Sequence, residues 1–574
     1  MNQTKTRSRW IVPEPPDPAA VAALCENLSL SEQVATLLLI RRYADDESAR
    51  KFLRPRLEQL RDASLIKGAE TAVERLARAC DTGETVLVHG DYDVDGICST
   101  TILTRTLRQF GAHAIPFIPN RMTDGYDLGP AGVAKAVEVN ATVVVTCDCG
   151  TSAVEPVAEL CRSGIDVIIT DHHLPGSALP ACLAVLNPNQ EPGDNPDKDL
   201  AAVGVAFKLA LALAKKLERK DAFIWRMIDL VALATIADVA PLTGENRILV
   251  RYGLRMLSQT ENVGLRAMIR AAGLDTKQIT AGRVGFILAP RLNAAGRMRS
   301  AMLGVELLLC EDVHRANEMA RELEELNELR QAEDQKVLAD ARDMVAELDL
   351  DSTFGIVLAK EGWHPGVIGI VASRLVEEFG RPAVLIALDG ETGKGSGRSI
   401  SKLHLRDALE ECSDLLVRFG GHRMAAGVTI ERERVADFAR RFNEVAAAHL
   451  TPDDLIPDVF IDLEVAIECA NDDLEKMLRH FEPFGVGNPT PVLVARSVTI
   501  IDKPETVGAN GLKLKLKAGA GKLEAIGWGM AHRKDEFKQT DKVDIAFRLE
   551  RDEFRGVHRL QARIADITPR FSEN

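Results

Sequence analysis

No Cys-x-x-Cys pair occurs among the ten cysteines, and the closest two, Cys147 and Cys149, are separated by a single residue. That spacing argues against a zinc site or a disulfide frame and for reduced, packed thiols. No uninterrupted apolar run approaches the ~18 residues of a membrane span. The opening stretch, MNQTKTRSRWIVPEPPDP, is basic but lacks the apolar segment of a signal peptide, and Pro13, Pro15 and Pro16 interrupt it. These lacks predict a cytoplasmic protein with no membrane association. Internal repeats and low-complexity tracts are also missing. Positive charge is in deficit, with a net charge of -14, which argues against nonspecific coating of nucleic acid. The deficit is uneven, because residues 502–574 hold 15 Lys/Arg against 12 Asp/Glu, or +3, leaving -17 for the rest. A local basic groove is compatible with that distribution.

The 574 residues, 46% hydrophobic and 27% charged, are enough for several globular domains. Residues 1–75 read as a helical lead-in. From 76 to 305, short β-branched runs alternate with helix-length segments: TVLVH (85–89), HAIPFI (113–118), TVVVTC (142–147), DVIIT (166–170) and CLAVLN (182–187). Runs this apolar predict strands covered on both faces, hence a parallel α/β sheet, and residues 201–237 predict two apolar helices. Residues 306–347, free of Gly and Pro and dense in opposite charges, predict one long connector helix. A second, smaller α/β domain is expected over 348–452. Over 453–574 the period becomes two, with Leu512, Leu514 and Leu516 alternating with Lys513, Lys515 and Lys517, which predicts an all-β barrel. The lysine face suits either a nucleic-acid strand or a solvated sheet edge, and Trp528 is expected in the core.

In a parallel sheet, ligands collect at the carboxyl ends of the strands. His89, Asp91, Asp93 and Asp95 follow the first run, Asp148 the third, and Asp171, His172 and His173 the fourth, while Asp238 closes an apolar helix. Any one of these acids is explicable as a cap, Asp95 for the helix that follows it being an example. The whole set repels itself and calls for a positive group among it. Carboxylates with a minority of imidazoles suit two Mn²⁺ or Mg²⁺ ions, the usual apparatus of phosphate-ester hydrolysis.

The segments HGDYDVDG, CDCG, DHH and ADVAPL, in this order and spacing, resemble the four metal motifs of the DHH phosphoesterase superfamily. With RLNAAGRM, WHPGVIGIVASRL, GSGRS and FGGHRMAAG, the chain is similar to the RecJ family of bacterial exonucleases within it. The resemblance implies a DHH domain, a DHH-associated domain and an oligonucleotide-binding (OB) barrel. It further implies that His89, Asp93 and Asp148 hold one ion and that Asp95, Asp148, His172 and Asp238 hold the other, with Asp148 as bridge. His173 would contact the scissile phosphate, and Asp91 would stand behind the ligands, orienting His89 or a water. Arg121, Ser396 and Arg398 would receive a 5′-terminal phosphate, the last two from a Gly-rich turn. Asn293 and Arg297 would contact substrate or clamp two domains, and His422 would face the cleft or serve as a packing histidine. The implied activity is 5′ to 3′ digestion of single-stranded DNA in recombinational and mismatch repair, by a monomer partnered with single-stranded-DNA-binding protein. Two other readings are a phosphodiesterase of short oligonucleotides or cyclic dinucleotides, and a catalytically dead DHH-derived scaffold. One departure stands out: Asp127 in DGYDLG occupies a position where glycine is expected.

Overall fold

A computed structural model describes residues 8–552 and 559–570, apart from 122, 126, 192 and 194. The chain forms two compact units, one from Met1–Arg56, Ile456–Phe484 and Asn488–Asn574, the other from Leu57–Leu455 and Gly485–Gly487.

The larger unit begins with five parallel strands, β1 (Thr85–Gly90), β2 (His113–Phe117), β3 (Val143–Cys147), β4 (Asp166–Thr170) and β5 (Ala184–Leu186), in the order β2-β1-β3-β4-β5. Each falls on one of the apolar runs, β1 extending one residue past its run, and Val86–Val88 and Val143–Val145 are fully buried, as strands covered on both faces require. Helix α1 (Val94–Phe110) follows β1 and stops at Gly111, whose φ of 111° suits glycine. Residues 201–237 form three helices rather than two: α2 (Ala202–Lys216), a short helix over Ala222–Arg226, and α3 (Ile228–Ala237). Helix α4 (Ala289–Met298) carries RLNAAGRM.

The single helix expected from 306 is also interrupted. One helix ends at Leu309, and the long helix α5 (Val313–Ala346) starts after Asp312, whose carboxylate accepts from the Arg315 amide at 2.7 Å. That cap supplies the acceptor that exposed first-turn amides need. Beyond α5, a second sheet contains β6 (Ile356–Glu361), β7 (Ala383–Asp389), β8 (Thr392–Arg398), β9 (Arg418–Gly421) and β10 (Ala425–Glu431), in the order β9-β10-β8-β7-β6. Helix α6 (Ile368–Phe379) packs on it.

The smaller unit is a seven-stranded barrel of β11 (Leu463–Glu464), β12 (Leu493–Ile500), β13 (Glu505–Val507), β14 (Gly511–Ala518), β15 (Gly521–Gly527), β16 (Lys542–Asp552) and β17 (Arg559–Arg570). The order is β11-β12-β16-β17-β15-β14-β13, and a further β12–β14 pairing closes it. Leu512, Leu514 and Leu516 point inward as their period predicts. On the outer face Lys513 pairs with Glu524 at 2.9 Å and Lys515 with Asp502 at 2.7 Å, so two of the three lysines are matched by carboxylates. The N-terminal helices belong to this unit: Val21, Leu24, Leu37, Leu38 and Phe52 share one core with the barrel interior. Trp528 is not in that core but 50% exposed, beside Gly508 and Gly511, whose lack of side chains leaves room for the indole.

All ten cysteines are free. Among the described residues, no helix is long and apolar enough to cross a membrane.

Candidate metal centre and phosphate cleft

The carboxyl ends of β1, β3 and β4 bring the acidic motifs together. Asp93, rather than Asp95, caps α1: one oxygen accepts from the amides of Asp95 at 2.8 Å and Gly96 at 3.2 Å. Asp93, Asp91 and Asp148 each offer a carboxylate oxygen within 4.8 Å of the others. Asp95 turns inward and is fully buried, its two oxygens accepting from the amides of Ala202 and Val203, each at 2.9 Å, at the start of α2. An acid at a helix N-terminus is stabilised by those amides and by the helix dipole. It retains lone pairs for a cation and groups within 4.8 Å of His172 and Asp238.

Asp148 follows β3 with a φ of 64°, its amide donating to Thr170 O at 2.9 Å. Its Oδ1 stands 3.2 Å from His172 Nε2 and 3.8 Å from His173 Nδ1, and His172 Nε2 is 3.7 Å from Asp238 Oδ2. The 3.2 Å approach lacks hydrogen-bond geometry, since both atoms remain buried without a hydrogen-bond partner. Asp148 belongs both to the Asp91–Asp93 group and to a group with His172 and His173. His89 is buried against Gly132, where a Cβ would stand 2.7 Å from Nε2. Its Nδ1 meets Cys149 Sγ at 3.6 Å, so the side chain touching that ring nitrogen is Cys149, not Asp91. Asp91 offers a carboxylate oxygen to the group formed with Asp93 and Asp148.

The electrostatics follow from this crowding. Burial, then the Asp93 charge, pushes Asp91 well above the usual carboxylate range and Asp95 up to about 7. Burial and the charges of Asp95 and Asp93 push Asp238 up to about 9, and the same causes raise Asp148. Burial lowers His89 and His172 to about 4, leaving both imidazoles neutral and able to ligate. His173 behaves oppositely: burial disfavours its charge, but the 2.7 Å hydrogen bond to Asp171 and that carboxylate's charge outweigh it and raise the imidazole to about 9. Asp171, which the sequence reading left without a role, thus holds His173 protonated. It also accepts from the Thr151 amide at 3.0 Å. The residues fit a divalent cation pair on structural grounds: His89 Nε2, Asp91 Oδ1, Asp148 Oδ1 and His172 Nε2 are all buried acceptors with no hydrogen-bond partner.

A cationic face adjoins these acids. The Arg121 guanidinium lies 4.7 Å over the ring of Tyr92, the residue between Asp91 and Asp93 in sequence. Arg297 on α4 donates to Gly366 O at 3.0 Å, tying α4 to the turn before α6, and Asn293 stands one helical turn before it, half-buried. Burial and the neighbouring Arg121, Arg330 and Arg398 lower Arg297 to about 10. Arg398 donates to Ser396 Oγ at 3.1 Å, and a Cβ at Gly369 would come 2.8 Å from Ser396 Oγ. GSGRS is not the expected Gly-rich turn but part of β8. Its glycines serve packing, since a Cβ at Gly395 would meet Val428 at 2.5 Å. His422 is exposed in the hairpin between β9 and β10, which removes the packing alternative, and no contact among the described residues places it with the arginines.

Missed in the sequence were the buried polar groups of α5. Arg330 donates to Asn327 Oδ1 at 2.6 Å and stands 3.6 Å from Asp334, which pairs with Arg374 of α6 at 2.8 Å. Their signal, charge at buried helical positions, is hidden in a segment charged on every face.

Comparison with known proteins shows which family the chain resembles along its length. Family models match the DHH family N-terminal domain over residues 85–235, the DHHA1 domain over 352–448 and the RecJ OB domain over 461–566. The single-stranded-DNA-specific exonuclease RecJ of Bacillus subtilis is 38% identical over 566 residues, covering 98% of this chain and 71% of that protein. Its namesake from Salmonella typhimurium is 38% identical over 525 residues, covering 88% and 91%. The crystal structure of RecJ in complex with Mn²⁺ from Thermus thermophilus superposes with a TM-score of 0.85 at 32% identity, over 99% of this chain and 80% of that one. With relatives this similar along nearly its whole length, and with the acidic motifs gathered at the strand ends, the chain belongs to the RecJ family.

Proposed function

We propose that the chain is a single-stranded-DNA-specific exonuclease that hydrolyses phosphodiesters 5′ to 3′ with two divalent cations, Mn²⁺ or Mg²⁺. The observation that carries this reading is the set of buried, unpartnered carboxylate and imidazole atoms beside Arg121, Arg297 and Arg398. His89, Asp93 and Asp148 are assigned to one ion, with Asp91 joining them through the group it forms with Asp93 and Asp148. Asp95, Asp148, His172 and Asp238 are assigned to the other. Bound there, the cations would supply activation of water and neutralisation of charge at the scissile phosphate.

The chain's own groups do the rest. His173, its Nδ1 bonded to Asp171, brings a charged imidazole to the scissile phosphate. Asp171 holds that ring in orientation and charge. Arg121, Ser396 and Arg398 receive the 5′-terminal phosphate, the guanidinium groups as bidentate partners. Arg297 spends one donor on Gly366 O and offers the others, with Asn293, to the strand. His422 is a peripheral contact. The barrel, with half-exposed Trp528, is assigned to binding of the single strand. Action in recombinational and mismatch repair, in the cytoplasm, as a monomer partnered with single-stranded-DNA-binding protein, accords with this activity.

The test is digestion of 5′-labelled and 3′-labelled single strands, and of blunt duplex, with Mn²⁺ or Mg²⁺. Short labelled product should appear first from the 5′-labelled strand, and blunt duplex should persist. Equal attack on duplex, or earlier release of the 3′ label, refutes the reading.

A further inference from the structure

We infer that Asp127 is a positioning residue that registers the loop bearing Arg121 against the loop bearing Asp148. The inference rests on the reading of Arg121 as a phosphate contact and Asp148 as a metal ligand. Asp127 adopts a φ of 73°, a backbone state that glycine takes freely and a side chain seldom does. The aspartate brings an acceptor that glycine lacks. Its Oδ1 accepts from the Leu128 amide at 2.8 Å and, 23 residues along the chain, from the Gly150 amide at 2.7 Å.

That second bond joins two segments whose other hydrogen bonds, among the described residues, run to different parts of the fold. The Asp148 loop is pinned to the sheet from its own side: the Asp148 amide donates to Thr170 O, Thr146 Oγ1 donates to Cys149 O at 2.7 Å, and the Thr151 amide donates to Asp171. Gly150 lies between them with a φ of 106°, its amide directed to Asp127. The Arg121 loop is fastened at its other end, where Asn120 donates to Arg299 O at 3.2 Å and accepts from the Asp124 amide at 2.8 Å. Arg121 itself rests on Tyr92. Among the described residues, Asp127 supplies the hydrogen bond from this loop to the turn after β3. A carboxylate at this position therefore replaces the mobility of a glycine with a fixed separation between phosphate-binding and metal-binding groups.

Both amides share one oxygen, which makes the link separable from the charge. In the full chain, Asp127→Asn keeps Oδ1 and both bonds, whereas Asp127→Gly relaxes the backbone and removes the acceptor. Three readouts apply: Mn²⁺ affinity by calorimetry, the rate ratio for 5′-phosphorylated over 5′-hydroxyl single strands, and hydrogen exchange over residues 148–151. Asp127→Gly should weaken Mn²⁺ binding about tenfold, the usual scale for losing a group that orients ligands. It should also lower the 5′-phosphate preference and speed exchange over 148–151. Asp127→Asn should stay within about twofold of wild type on every readout, since the acceptor remains. The inference is overturned if Asp127→Gly matches wild type, if it changes only one of the two binding properties, or if Asp127→Asn falls as far as Asp127→Gly. Should Asp127→Gly fail to fold, the Asn variant decides alone: wild-type affinity and preference support the latch, and their loss overturns it. A wild type that neither binds Mn²⁺ nor digests single strands instead refutes the functional reading, and exchange over 148–151 still judges the latch.

Discussion

Asp148→Asn should make the protein more stable without metal and less stable with it. Asp91, Asp93 and Asp148 offer oxygens within 4.8 Å of one another. At an effective dielectric of about 20, two unit charges at that distance repel by roughly 3.5 kcal/mol. Protonation relieves part of this, as the raised carboxylate pKa values record, so removing one charge at constant volume should stabilise the apoprotein by about 1–3 kcal/mol. In EDTA the melting temperature of the variant should rise by about 1–4 °C. Mn²⁺ at a hundred times its Kd should add about 2.7 kcal/mol to wild type and much less to the variant. The order of the two melting temperatures therefore inverts between EDTA and Mn²⁺. Scanning calorimetry or dye-monitored melting reads both conditions. A variant that is less stable than wild type in EDTA, or that gains as much from Mn²⁺, refutes the argument that these acids are a strained cation site. Undiminished nuclease activity in the variant refutes the bridging role.

The same crowding sets a pH dependence. Asp95, raised to about 7, and Asp238, raised to about 9, bind protons in the folded state that they release when unfolded, so apoprotein stability should fall as pH rises from about 4 toward 9. Denaturation midpoints in EDTA across that range check the slope, and saturating Mn²⁺ should flatten it. Asp171→Asn should lower kcat about a hundredfold with KM little changed, because His173 loses the carboxylate that keeps it charged; an unchanged kcat removes His173 from the chemistry. Lys208→Met strips the ammonium from Glu245 at 2.7 Å and Asp197 at 3.7 Å, all three side chains under 10% exposed, and should cost about 3–5 kcal/mol in urea denaturation. A loss below about 1 kcal/mol would show that Arg61, whose guanidinium pairs with Asp197 and whose amide donates to Glu245, satisfies those acids without Lys208. Trp528→Ala should barely change stability yet weaken binding of a long single strand by about 1–3 kcal/mol, and unaltered binding would exclude the indole as a stacking surface.

Strand positions were legible because a strand buried on both faces must be apolar throughout, and Val86–Val88 and Val143–Val145 have no polar residue to confuse the pattern. The acids at the strand ends were legible only as a set: a cap explains any one of them, but so many beside such runs repel one another and call for a cation. The lysine alternation along β14 needed only the pleat. What the tertiary structure decided were relations between distant segments. Asp93 and Asp95 look equivalent in sequence, yet one caps its own helix while the other takes the amides of Ala202 and Val203, more than a hundred residues away. GSGRS reads as a turn because its glycines are visible and the side chains crowding them are not. Trp528 reads as core for its size, and only the neighbouring glycines show where the ring goes. The N-terminal helices bury their apolar faces in a barrel core encoded some four hundred residues later, a pairing that no local pattern specifies. Local periodicity thus determined which residues needed burial and which charges needed a partner; the packing of remote segments determined which partner each one met.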